Sequence, residues 1–142
     1  MSDASPRLRV SGACSRLGTA EVVKRCVAML NGGCDDTEFI LLLGGTPARR
    51  FVTDGVPETQ AYWLRVWAAR GLLWAGPGET TDALRGALSD ESWRVREMAC
   101  KVVARHSLGD LLDDVAELES DAVARVRQAA QRAVVRIVEA LA

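Results

Sequence analysis

Apolar residues recur three and four positions apart along most of this chain, the spacing that gathers side chains on one face of a helix. The clearest case is the last: Val126, Ala129, Ala130, Ala133, Val134, Ile137, Val138 and Leu141 form a single stripe. Before it, Leu111, Leu112, Val115 and Leu118 predict a shorter helix, with Asp113, Asp114, Glu117 and Glu119 turned outward. Asp110 and Asp121 stand where their carboxylates can cap these two helices. An equivalent pair comes earlier. Gly76-Pro77-Gly78 breaks the chain, Ala83, Leu84, Ala87 and Leu88 predict one helix, and Asp90 starts the next.

The second helices of these pairs are close copies: DESWRVREMACKVVARH begins at Asp90 and DAVARVRQAAQRAVVRI at Asp121. Arg96 and Arg127 match at an offset of 31 residues, and one more step back lands on Arg65 in YWLRVWAARGLLWA. The three lines agree column by column: Leu64, Val95 and Val126; Ala68, Ala99 and Ala130; Arg70, Lys101 and Arg132; Leu72, Val103 and Val134. A fixed period of this size predicts stacked helical units, none of which can bury its apolar face alone. Small residues in the alanine column let neighbouring helices approach closely.

Upstream the period blurs. Val22, Val23, Cys26, Val27 and Leu30 predict a helix over residues 19–30, ended by Asn31-Gly32-Gly33. Asp36 is placed to cap a short helix through Phe39, Ile40 and Leu43, ended by Gly44-Gly45. A helical stub over 47–53 leads to the Gly55–Pro57 loop. Residues 18–57 are expected to form a degenerate repeat or cap, and residues 1–17 to be mobile.

D-E-S-W-R-V-R-E-M-A and D-A-V-A-R-V-R-Q-A-A resemble the HEAT repeat, in the short form of bacterial HEAT-like proteins, from about Tyr62 to the end of the sequence. The resemblance implies an all-α fold: a right-handed α-α superhelix of about three regular repeats over 58–142 behind the N-terminal cap, in one domain over 1–142. It also implies a structural ladder in which the Asp of each inter-helix turn and the Arg of each second helix join successive repeats. The matching positions are Asp90, Asp121, Arg65, Arg96 and Arg127. Thr59 stands where the first unit would carry its Asp. A guanidinium suits the role because it can satisfy a carboxylate and open helix-end carbonyls together.

Composition supports packed helices, since 49% of residues are hydrophobic but only 5% aromatic. A net charge of −1 gives the whole molecule no gross pull toward nucleic acid or anionic membrane, so any electrostatic role must come from local segregation. Cys14, Cys26, Cys34 and Cys100 form no CxxC pair and His106 is the single histidine, so no metal or cofactor is expected. No apolar run has the length of a membrane span, and the opening residues lack a signal peptide's apolar stretch; a reducing cytoplasm is the expected location.

No nucleophile–base set or phosphate loop stands out, and the chain is expected not to be an enzyme. His106, closing a second helix, is expected to be structural. The second helices carry Arg70, then Arg94, Lys101 and Arg105, then Arg125, Arg132 and Arg136, opposite acidic first helices. Trp63, Trp67, Arg70 and Trp74 share one stripe; Trp67 and Trp74 are expected in the core, and Trp63 and Trp93 partly exposed. The resemblance implies that second helices line a concave face. The expected role is a scaffold, monomeric or weakly dimeric, that binds a protein or peptide through these cations and Trp63. Two other roles come from the same resemblance: nucleic-acid binding in a basic groove, as in HEAT-like DNA glycosylases, and a lyase or assembly factor of the phycobilisome type. Neither the glycosylases' cleft Asp nor a bilin-specific motif can be matched here.

Overall fold

In the computed structural model, which describes residues 4–142, the chain is an all-α solenoid: the described residues form nine α-helices and no strand. The helices are α1 (Pro6–Leu17), α2 (Thr19–Leu30), α3 (Thr37–Gly44), α4 (Arg49–Asp54), α5 (Tyr62–Ala75), α6 (Thr81–Leu88), α7 (Trp93–His106), α8 (Leu112–Glu117) and α9 (Ala124–Leu141). Single 3-10 turns introduce α4, α5 and α8, and another follows α8.

Helices α5, α7 and α9 lie side by side as an inner row. Helices α2, α6 and α8 form the outer row, packed on α5, α7 and α9 respectively. The alanine column sits at the inner joints, where Ala68, Ala99 and Ala130 are wholly buried. Leu72 and Val103 are buried beside them, each contributing about 1.5–3 kcal/mol over an exposed side chain.

This pairing explains why the period fades upstream. Helix α2 is the outer partner of α5, but α3 and α4 are inserted between the two in sequence. Helix α3 packs on α1 and α5, and Gly71 lets α2 and α3 close on α5. A Cβ at Gly71 would lie 2.9 Å from Cys26 Sγ and 3.0 Å from Leu43 Cδ2, so any side chain there would force these two buried groups to shift.

Two expectations need correction. The stretch expected to be mobile contains α1, which packs on α2, α3 and α5 with Val10 and Ala13 buried; residues 1–3 of that stretch lie outside the described residues. Ser5 caps α1 by accepting from the Leu8 N–H, so this helix carries both a start signal and a buried face. The aspartates also sit differently from simple caps. Helices α7 and α9 begin at Trp93 and Ala124, and Asp90 and Asp121 accept the N–H groups of Ser92 and Val123 in the preceding turns. Asp110 caps nothing, because a 3-10 turn over Gly109–Leu111 separates it from α8.

Candidate partner-binding face

The joints between inner helices show what the recurring arginines do. Arg65 Nε and Nη2 donate to Asp90 at 2.7 and 3.2 Å, and Arg96 repeats the fork on Asp121 at 2.9 and 3.3 Å. Arg96 Nη1 also donates back to the carbonyls of Asp90 and Glu91, at 2.8 and 3.2 Å. Arg127 makes the backward bond to the Asp121 carbonyl at 2.7 Å and, among the described residues, no forward ion pair. Burial pushes the Asp121 carboxyl up, but the bonds and charge of Arg96, the Val123 N–H and nearby Arg127 outweigh it. The group therefore titrates below the ordinary carboxylate range.

His106 works at the opposite end of the row. Its Nε2 lies 2.7 Å from the Leu72 carbonyl, which also accepts the Gly76 N–H, so this nitrogen carries the proton and α7 adds a second donor at the end of α5. The bond ties one inner helix to the next.

Arg70 is a correction. Expected on the exposed basic side in register with Lys101 and Arg132, it is half-buried and donates to the Leu43 carbonyl at 2.7 Å. Arg9 bonds the Leu42 and Leu43 carbonyls at 2.7 and 3.3 Å, so two guanidiniums satisfy the end of α3. Burial, and then the charge of Arg9, lowers the Arg70 pKa. The inserted α3 gives Arg70 a target that Lys101 and Arg132 lack.

The remaining inner-row side chains divide into two ends. At the start of α5 and α7, Arg94 is packed among rings, its guanidinium carbon 4.5 Å from the Trp93 centroid, 5.6 Å from Trp63 and 5.7 Å from Tyr62. Arg125 stands 5.4 Å from the same Trp93 ring. Such contacts contribute about 0.5–1 kcal/mol at exposed sites. Trp63 and Trp93 are half-buried; Trp74, expected in the core, is half-buried too and packs against its edge, whereas Trp67 is core, stacked on Trp63 and tilted against Phe51.

Glu97 divides the two ends. It is largely buried, accepts from Arg125 Nε at 2.9 Å and lies 3.9 Å from Lys101 Nζ. The run of second-helix cations expected to bind a partner is therefore interrupted, because Glu97 neutralises Arg125 and partly Lys101. Beyond it, Lys101, Arg105, Arg132 and Arg136 surround a shallow pocket of about 240 Å³ floored by Leu73 and Ala104. Arg105, Arg132 and Arg136 are exposed and among the described residues make no ion pair, although Glu139 lines an adjoining hollow with Arg132 and Arg136.

The 31-residue register carried a sharper signal than the count of cations. It aligns Trp63 with Arg94 and Arg125, and Tyr62 with Trp93, so rings and guanidiniums meet across adjacent helices. It likewise aligns Leu73 with Ala104, the pocket floor.

Burial raises the Cys26 and Cys100 thiols to about 12, assisted by Cys14 for the first and by Asp121 and Glu97 for the second; both are core groups. Among the described residues no cluster of His, Cys, Asp and Glu could hold a metal, and no helix is long and apolar enough to cross a membrane. A family model described as HEAT repeats matches residues 54–135, more than half of the sequence. No curated protein matches the chain.

Proposed function

The chain belongs to the HEAT-repeat family, whose repeats generally serve as protein-interaction scaffolds, and we propose that it binds an acidic segment of a protein partner along the inner row. The observation that carries the reading is the contrast among its cations. Arg65, Arg70 and Arg96 are satisfied internally, whereas Arg105, Arg132 and Arg136 are exposed around one pocket and, among the described residues, form no ion pair. Clustered like charges disfavour the unbound surface, and an acidic partner relieves them. The opposite end supplies half-buried Trp63 and Trp93 with Arg94, a residue set enriched among binding hot spots. Arg125 contributes through its ring contact and its bond to Glu97, rather than as a free charge. The role is binding, with no reaction of its own, at home in a reducing cytoplasm.

The test is fluorescence anisotropy with a degenerate Asp/Glu-rich peptide pool at two salt concentrations, beside a neutral pool and a random duplex DNA. The acidic pool should bind, weaken as salt rises, and be lost in Arg105→Glu/Arg132→Glu/Arg136→Glu. Equal binding by that variant, or no preference for the acidic pool, would overturn the reading. Tighter binding to the duplex would put nucleic acid ahead of protein as the ligand.

A further inference from the structure

The basic pocket and the ring-lined end occupy one continuous face, and their chemistries differ in a way that narrows the partner. Arg94 lies against three rings and Arg125 is held by Glu97, so the first end presents π surface with its charge already engaged. The pocket end presents three exposed guanidiniums and Lys101; Glu97 lies nearly 4 Å from the lysine, and Glu139 lines an adjoining hollow with Arg132 and Arg136.

Two monoanionic carboxylates, one of them shared with Arg125, leave at least two of these four positive charges uncompensated. A phosphate monoester carries nearly two charges near neutral pH and three acceptor oxygens, which guanidinium forks on separate helices can engage together. Lysine adds a point charge that is less demanding in direction. Arg105 comes from α7, while Arg132 and Arg136 come from α9 one turn apart, so the donors approach a central anion from two helices. The floor of Leu73 and Ala104 offers no acceptor side chain to compete for them.

We propose that this pocket holds a phosphorylated side chain of the protein partner, with the adjoining segment running along the inner row to Trp63 and Trp93. The inference rests on the inner-row reading above and adds the chemical class of the anchor. Trp93 and Arg105 stand at opposite ends of α7, so the two ends are ~18 Å apart along the helix axis. An extended peptide covers that span with about five or six residues.

Three otherwise identical degenerate peptide pools, centred on phosphoserine, serine or glutamate, are measured by anisotropy on the full chain and on Arg132→Ala/Arg136→Ala. Phosphoserine should bind about tenfold or more tighter than serine, and clearly tighter than glutamate. Arg132→Ala/Arg136→Ala should erase that preference without moving the melting midpoint. Glutamate binding as well as phosphoserine would overturn the phosphate anchor while leaving the acidic-partner reading intact. A phosphoserine preference that survives in the variant would place the anion elsewhere and also overturn it. If no pool binds, both proposals fall. In a parallel arm, the variant should lose the chemical-shift changes that O-phosphoserine alone produces at the Arg105 side chain; retention of those changes counts against the pocket.

Discussion

Two sets of arginines, both spaced by the repeat, behave in opposite ways. At the joints, Arg65 and Arg96 each fork onto the aspartate of the next unit, and Arg96 also holds two carbonyls of its own turn. On the inner row, Arg105 and Arg136 also lie 31 residues apart, with Trp74 at the first unit's position, and among the described residues neither makes an ion pair. Residue type and periodicity are the same in both sets. What differs is the target within reach: the inter-helix turn supplies a carboxylate and carbonyls to the joint arginines, whereas among the described residues no ion pair forms at Arg105, in the last turn of α7, or at Arg136, within α9. Regular spacing therefore marks a position in the stack, and local partners decide whether that position holds the stack together or faces outward.

The comparison breaks most readily at the joints. Arg96→Ala should lower unfolding stability by about 1–3 kcal/mol, because it strips the fork from a largely buried Asp121 and frees two carbonyls. Urea unfolding checks this, and Arg96→Lys should recover only part of the loss, since an ammonium cannot form the fork. The same joint should be sensitive to acid. Asp121 has its pKa lowered in the folded chain, so its contribution is complete above the ordinary value of 3.8 and is lost as pH falls through the lower folded value. The wild-type chain should accordingly lose stability more steeply than Asp121→Asn in the window just below pH 3.8.

A smaller effect separates two residues of one column. Arg70→Ala should cost roughly 1 kcal/mol by leaving the end of α3 short of a donor, whereas Arg132→Ala should stay within about 0.5 kcal/mol of wild type. Equal losses would mean that the column acts as a unit and that the inserted α3 is irrelevant to it. Smallest of all is a labelling contrast: exposed Cys34 should take up a thiol reagent in the native chain while buried Cys26 and Cys100 do not. Mass spectrometry of the labelled protein reads it directly.

Much of this architecture was legible because stacked units repeat their packing problem. The apolar columns predicted the joints through Leu72, Val103 and the three alanines, and the family resemblance agreed with the matched region. Arg70 misled because the period describes only what every unit shares, and the inserted α3 packs on α5, the helix that carries Arg70. Helix α1 was missed because Val10 and Ala13 are too few to mark a stripe, although both are buried in a helix that packs on α2, α3 and α5. The division of the basic side by Glu97 was hidden for a related reason. Its i, i+4 lysine was visible in sequence, but the closer partner is Arg125, on the next helix.

The most direct test is hydrogen exchange at the arginine Nε–H groups of the free chain, followed by NMR. Arg65 and Arg96 should exchange slowly because Nε is bound to a shielded carboxylate, while Arg105, Arg132 and Arg136 should exchange at rates near those of an unfolded peptide. Protection at Arg132 and Arg136 equal to that at Arg96 would show that the pocket's charges are already satisfied, and would contradict the division between structural and open arginines.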